Sequence, residues 1–280
     1  MIKKAYAKIN LTIDVLNKRP DNYHNVKMVM QQIDLYNVLN IELTDEKDIT
    51  ITCDCDKVPC DERNIAYKAA KAVLKKAGLE QGLKIHIEKH VPMSAGLAGG
   101  STDGAAVICA LNELLNLNYS KEELMEIGSG IGADVPFFIM GGTALAEDIG
   151  TKLSPLPSFK PYYILLVKPP IDVSTPWVYQ NLKLDGCSHP DVDLFIKHLK
   201  SKEFDKALMQ MGNVLETVTA KEYPIIKTIK EKMLSLGAKY SMMSGSGPTV
   251  FGIFADKAKA RIAENIFKNE FDEVIISQIV

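Results

Sequence analysis

The fifteen residues from Pro92 to Ala106, Pro-Met-Ser-Ala-Gly-Leu-Ala-Gly-Gly-Ser-Thr-Asp-Gly-Ala-Ala, limit what this chain can fold into more than any other stretch. Before them, Leu83, Ile85 and Ile87 alternate with Lys84, His86 and Glu88, the period of a half-buried strand. After them, Ala105, Ala106, Ile108, Cys109, Leu111, Leu114 and Leu115 recur at helical spacing, with Ser101 or Thr102 placed to cap the helix start. The predicted order is strand, glycine-rich loop, helix.

That order suits an anion, because the first amides of a helix lack internal partners and the helix dipole places partial positive charge at the same end. Glycines allow positive φ and let a phosphate approach amides that side chains would shield. The plainer reading is a small-residue connection between strand and helix, which needs only one or two glycines. No Gly-Lys-Ser/Thr follows, so this is not a Walker A loop, and a nucleotide site here would take its lysine from elsewhere.

The chain has 280 residues, 46% hydrophobic and 24% charged, a balance that predicts a soluble globular protein. A net charge of −2 gives no electrostatic footprint for nucleic acid or an anionic membrane surface. Met1 to Tyr6 shows no signal-peptide pattern and no run reaches membrane-span length, so a cytoplasmic location is expected. Five cysteines fit reduced thiols. Cys53, Cys55 and Cys60 supply three thiols with no close histidine, one ligand short of a structural zinc site, and are read as a strand end and turn. Cys109 falls on the apolar helix face and is read as core.

From Ala5 to Val15, Ala7, Ile9, Leu11, Ile13 and Val15 form the core face of a strand, leaving Lys8, Asn10, Thr12 and Asp14 opposite as an expected solvated face. Lys8 and Asn10 gain interest only if a phosphate site faces them. Arg19 to His24 reads as a turn ending in Tyr23 and His24, which either pack or stack on a base and read its edge. Val26 to Leu43 is expected as strand interrupted at Asp34–Asn37, with Ile49 to Cys53 a further strand. Arg63 to Leu79 carries an apolar helical stripe closed by Gly78. Ser120-Lys121-Glu122-Glu123 predicts a capping box.

Gly128-Ser129-Gly130-Ile131-Gly132-Ala133 imitates a dinucleotide fingerprint but follows a helix instead of a strand, so it is read as a tight loop presenting Asp134. Asp134 either caps a short helix with Pro136 in its first turn or serves as a functional carboxylate. The non-periodic stretch Thr151–Pro161, with three prolines, is the expected domain junction. Beyond it lie a strand at Tyr162–Val167, helices starting near Ser174, Asp191, Glu203, Asn213, Pro224 and Asp256, and strands at Thr249–Phe254 and Glu273–Ile276. Mixed strands and helices predict an α+β fold.

Taken together these motifs resemble the GHMP kinase superfamily, small-molecule kinases with a phosphate loop unrelated to Walker A. Pro92 to Thr102 fits that loop, Ala7-Lys8-Ile9-Asn10-Leu11 the first motif and Ser244 to Thr249 the third. Tyr23-His24, Gly132-Ala133-Asp134-Val135-Pro136 and Thr175-Pro176 resemble members that phosphorylate the 2-hydroxyl of a cytidine-diphosphate-linked branched polyol in non-mevalonate isoprenoid synthesis. The resemblance implies two domains. Residues 1–155 would form a nucleotide-binding and catalytic domain like the second domain of a small-subunit ribosomal protein, with a left-handed βαβ unit. Residues 156–280 would form a ferredoxin-like α/β sandwich.

It also implies that Asp134 accepts the hydroxyl proton or chiefly orients that hydroxyl, while Lys8 holds the carboxylate ionised. Pro92, Met93, Ser94, Ala95, Gly96, Leu97, Ala98, Gly99, Gly100, Ser101 and Thr102 would bind ATP with Mg²⁺, the amides from Ser94 to Thr102 cradling its phosphates, and Asn64 and Lys89 would lie near the adenine. Tyr23 and Tyr179 would sandwich the cytosine, His24 would read its edge, and Asn10 and Thr175 would bind substrate. No protein metal site is implied, and a monomer or homodimer is expected. A kinase of another small alcohol, homoserine or mevalonate, and a non-catalytic nucleotide-binding homologue are the alternatives. Three positions depart from the pattern: Asn22 and Ala98 replace glycines, and Gly104 replaces an alanine. Ala98 is expected to keep a negative φ or be strained. At Tyr179 a phenylalanine would serve equally.

Overall fold

The structure is a computed structural model describing Met1–Val280. Its elements in order are β1 (Ile2–Lys18), β2 (His24–Thr44), β3 (Ile49–Cys53), α1 (Ile65–Ala77), β4 (Gly82–Glu88), α2 (Gly99–Leu114), α3 (Lys121–Ser129) and α4 (Val135–Met140). There follow β5 (Thr143–Glu147), β6 (Lys152–Leu156), β7 (Tyr163–Lys168), α5 (Thr175–Asn181), α6 (Val192–Lys200), α7 (Phe204–Leu208) and β8 (Gly212–Asn213). The last are α8 (Glu216–Glu222), α9 (Ile225–Ser235), β9 (Tyr240–Met243), β10 (Val250–Phe254), α10 (Lys257–Lys268) and β11 (Glu273–Gln278). No helix is long and apolar enough to cross a membrane. Contacts divide the chain into two compact units: Met1–Ala7, Leu35–Val91 and Ala98–Gly141 in the first, and Lys8–Asp34, Pro92–Leu97 and Gly142–Val280 in the second.

In the first unit β3 and β4 pair in parallel, Ile51 opposite Ile85, with α1 between them in sequence, and the end of β2 pairs antiparallel with β4. Leu39, Ile41, Ile51, Leu83, Ile85 and Ile87 turn one sheet face onto Ala66, Ala69, Ala70 and Val73 of α1 and Val107, Ile108 and Leu111 of α2. Asn64 caps α1 by accepting the Ala66 amide at 2.8 Å, and Gly78 closes it at φ 66°. The Gly104 departure is explained by this packing, since a Cβ there would lie 2.7 Å from Cγ2 of Ile65. Ser120 and Glu123 form the expected reciprocal capping box on α3.

In the second unit β5 pairs with Met28–Gln31 of β2 and with β6. A separate antiparallel sheet runs β11-β7-β10-β9, the strand order of a ferredoxin-like sandwich, with α9 and α10 in the two crossovers.

Four local expectations need correction. The segment Asp34–Asn37 does not interrupt β2, because Asn37 is buried with its side chain hydrogen-bonded. Thr151–Pro161 is not irregular throughout: β6 forms a hairpin arm on β5, and Pro155 is tolerated because β6 is an edge strand. Asn213 lies in β8, a parallel bridge to Thr12 and Ile13 of β1, and the helix begins only at Glu216.

The fourth concerns the expected solvated face of β1, which is buried: Lys8 is 5% exposed, Asn10 and Thr12 0% and Asp14 8%. Each polar group there has a partner, as buried polar groups require. Thr12 Oγ1 accepts the Val29 amide at 3.1 Å, and Asp14 pairs with His189 Nδ1 at 2.6 Å, which raises the histidine pKa.

Candidate active site

In the second unit the first and third motifs meet the start of the glycine loop. Lys8 Nζ donates to Asn10 Oδ1 at 2.6 Å, and the Lys8 amide donates to the Leu97 carbonyl at 3.3 Å. Asn10 Nδ2 donates to Met28 Sδ at 3.4 Å. The Ser244 hydroxyl donates to the Gly96 carbonyl at 3.0 Å, and a Cβ on Gly96 would lie only 2.1 Å from the Ser244 carbonyl oxygen. A Cβ on Gly245 would lie 3.2 Å from the Gly96 carbonyl oxygen and 3.7 Å from Asn10 Oδ1. Lys8, Asn10, Gly96 and Leu97 are thus brought together.

The third motif is itself braced. Asn213 Nδ2 donates to the Met243 and Gly245 carbonyls at 2.9 and 2.8 Å, and the Thr219 hydroxyl to the Ser246 carbonyl at 3.1 Å. Sequence reasoning missed Asn213, which it had assigned to a helix.

The loop backbone alternates in hand. Ser94 at φ 50°, Gly96 at 72° and Ala98 at 57° take the left-handed region, and Ala95 and Leu97 do not. Anion-binding nests are built from residues that alternate between left- and right-handed conformations. Ala98 therefore has the strain expected of a positive φ on a residue with a Cβ. It occupies the N-cap of α2, where neither Ser101 nor Thr102 caps, and no side chain takes the free amides. The first helical hydrogen bond runs from the Thr102 amide to Ala98, and the first turn carries no acidic residue. The start of α2 thus leaves its first amides without a side-chain partner, the arrangement that anion-binding helix N-termini use.

In the first unit Lys89 Nζ pairs with Asp103 Oδ2 at 2.7 Å and lies 3.3 Å from where a Gly99 Cβ would be. Burial pushes the Asp103 carboxyl above the ordinary range, opposed by Lys89 and by Asn37. Asn64, besides capping α1, donates to the Pro59 carbonyl at 2.7 Å. Its neighbour Ile65 would lie 3.4 Å from a Cβ on Gly100, so the start of α1 is beside the first turn of α2. Asn37 and Asp103 were not singled out from sequence, although a polar residue among the apolar positions of a strand was a usable signal.

Asp134 occupies the N-cap position of α4, with Pro136 in the first turn, yet its carboxylate makes no capping hydrogen bond. Capping therefore does not account for the residue. Gly128 lets α3 approach α4, since a Cβ would lie 2.9 Å from Val135 Cγ1.

Tyr23 and His24 diverge. Tyr23 is 62% exposed, whereas His24 is buried with its ring centroid 5.2 Å from that of Tyr179, tilted by 36°. Burial, aided by Lys18, lowers the His24 pKa and so favours the neutral imidazole. Asn22 before them sits at φ 68°, a left-handed conformation that asparagine tolerates, so the departure from glycine keeps the turn. Thr175 is exposed as the first residue of α5, which Ser174 caps.

Residues 64–142 match the family description GHMP kinases N terminal domain, and residues 195–273 match GHMP kinases C terminal. A protein of Acetivibrio thermocellus named 4-diphosphocytidyl-2-C-methyl-D-erythritol kinase is 50% identical over 280 residues, covering 99% of this chain and 98% of its own. The chain belongs to the GHMP kinases. A relative of the same name from Caldicellulosiruptor saccharolyticus is 47% identical over 278 residues, covering 99% of this GHMP kinase and 96% of its own chain.

A crystal structure of 4-(cytidine 5'-diphospho)-2C-methyl-D-erythritol kinase superposes with TM-score 0.85 at 29% identity, covering 100% of this chain and 99% of that one. A homoserine kinase from Cytophaga hutchinsonii, at 21% identity and TM-score 0.75, covers 98% of this chain and 95% of its own and shares the fold. The GHMP kinase fold, with two domains and mixed α and β content, is therefore established for this chain.

Proposed function

We propose that this GHMP kinase transfers the terminal phosphoryl group of ATP to the 2-hydroxyl of 4-diphosphocytidyl-2-C-methyl-D-erythritol, a step of non-mevalonate isoprenoid precursor synthesis, in the cytoplasm. The full-length likeness to kinases of that name carries the reading, and the geometry supports it. Amides of the alternating loop and the uncapped start of α2 take the nucleotide phosphates. Tyr23 and Tyr179 sandwich the cytosine, and His24, packed against Tyr179, reads its edge.

Phosphoryl transfer asks the protein chiefly for positioning and charge stabilisation. Asp134 receives the proton of the attacking hydroxyl or orients that hydroxyl. Lys8, its Nζ held by Asn10, supplies a cation that offsets charge on the transferring group. Asn64 and Lys89 border the adenine, and Asn10 and Thr175 contact the alcohol substrate. Mg²⁺, when bound on the nucleotide phosphates, neutralises their charge.

Phosphorus NMR of the product tests the assignment. One new phosphomonoester at the 2-position with the diphosphate intact supports it; a phosphate on a different hydroxyl would refute it.

A further inference from the structure

Asn37 is a buried amide in the middle of a strand, and both ends of its side chain are engaged. Its Oδ1 accepts the amides of His90 and Val91 at 2.9 and 2.8 Å, the two residues before the glycine loop. Its Nδ2 donates to Asp103 Oδ1 at 2.7 Å, immediately after the loop. The other Asp103 oxygen takes Lys89 Nζ at 2.7 Å, in a pair whose side chains are 4% and 7% exposed. One side chain therefore ties the entrance of the loop to its exit. Between those stems lie Ser94 and Ala98, two non-glycine residues at positive φ, a conformation that persists only when its surroundings over-determine it.

We infer that Asn37 and Asp103 are positioning residues for nucleotide binding: they fix the span of the Pro92–Thr102 loop, so that its amides converge before a nucleotide arrives. The inference rests on the proposed binding of ATP at this loop. A latch of this kind raises affinity by removing the ordering cost from the binding step, not by touching the ligand. Its elements are buried, so losing either partner leaves an unpaired polar group that only distortion of the stems relieves.

Exchanging the two groups tests this. Asn37→Asp keeps the acceptor for the His90 and Val91 amides but replaces the donor to Asp103 with a second, repelling carboxylate, and Asp103→Asn removes the charge that holds Lys89. Each single variant is expected to raise the KM for ATP at least about tenfold, the effect of one lost buried hydrogen bond and a lower bound for the facing carboxylates, with the KM for the alcohol moving less than about threefold. The double variant restores a donor facing an acceptor and is expected to recover the ATP KM to within about threefold. A rise shared equally by both KM values, or a double variant worse than either single one, would overturn the inference.

Hydrogen exchange on the unaltered protein gives a reading independent of any variant's folding. The His90 and Val91 amides should be protected without nucleotide, while the loop amides gain protection only on adding Mg-ATP. Stem amides that stay unprotected until Mg-ATP is added would overturn the latch. Failure of the unaltered protein to bind Mg-ATP would overturn the nucleotide reading and the inference with it; binding that ignores both substitutions would overturn the inference alone.

Discussion

The hydroxyl of Ser244 donates to the carbonyl of Gly96 at 3.0 Å, joining the third motif to the glycine loop across 148 positions of sequence. Gly96 is at φ 72°, and a Cβ there would press to 2.1 Å against the Ser244 carbonyl oxygen. Gly96→Ala is therefore expected to cost at least about 2 kcal/mol of stability, from the left-handed penalty plus the clash. It should also raise the KM for ATP more than that for the alcohol. Thermal unfolding and steady-state kinetics on one preparation check both.

Ala98 gives the opposite sign. It holds φ 57° with no side-chain cap, so its Cβ carries a strain of about 1–2 kcal/mol that glycine lacks. Part of that gain is returned through the greater freedom of glycine in the unfolded chain. Ala98→Gly should raise the unfolding midpoint by about 2 °C. A lower midpoint would mean that the loop is not strained at this residue.

How far the sequence reaches can be judged from these residues. The strand before the loop, the helix after it, the Ser120 capping box and the Gly78 stop were legible because periodicity and capping are local. The burial of Lys8, Asn10, Thr12 and Asp14 was not, since the groups that satisfy Thr12 and Asp14 are Val29 and His189, distant along the chain. Asn37 looked like a strand breaker because its partners, His90, Val91 and Asp103, lie more than fifty positions away. The roles proposed for Lys8, Asp134 and the aromatic residues rest on motif resemblance, which periodicity could not supply.

The His24 and Tyr179 rings, 5.2 Å apart, lead to a substrate-specific prediction. Tyr179→Ala should raise the KM for the cytidylyl substrate about tenfold, within the range for loss of one base–aromatic stack, while Tyr179→Phe stays near the parent. The KM for ATP should hardly move. Equal rises for both substrates would assign Tyr179 to packing.

Asp134 has no capping bond to lose, so its removal should affect chemistry before stability. Asp134→Ala is expected to lower kcat by at least about a hundredfold, the usual scale for a general base, with ATP affinity and unfolding midpoint nearly unchanged. Calorimetric titration with Mg-ATP beside single-turnover rates separates the two. A loss of only a few-fold would remove Asp134 from the reaction.

The central claim is tested most directly by ADP release from Mg-ATP with four acceptors in parallel: 4-diphosphocytidyl-2-C-methyl-D-erythritol, the methylerythritol phosphate without its cytidylyl group, homoserine and mevalonate. The account predicts turnover with the cytidylyl compound alone. Turnover with any of the other three in its place would contradict it.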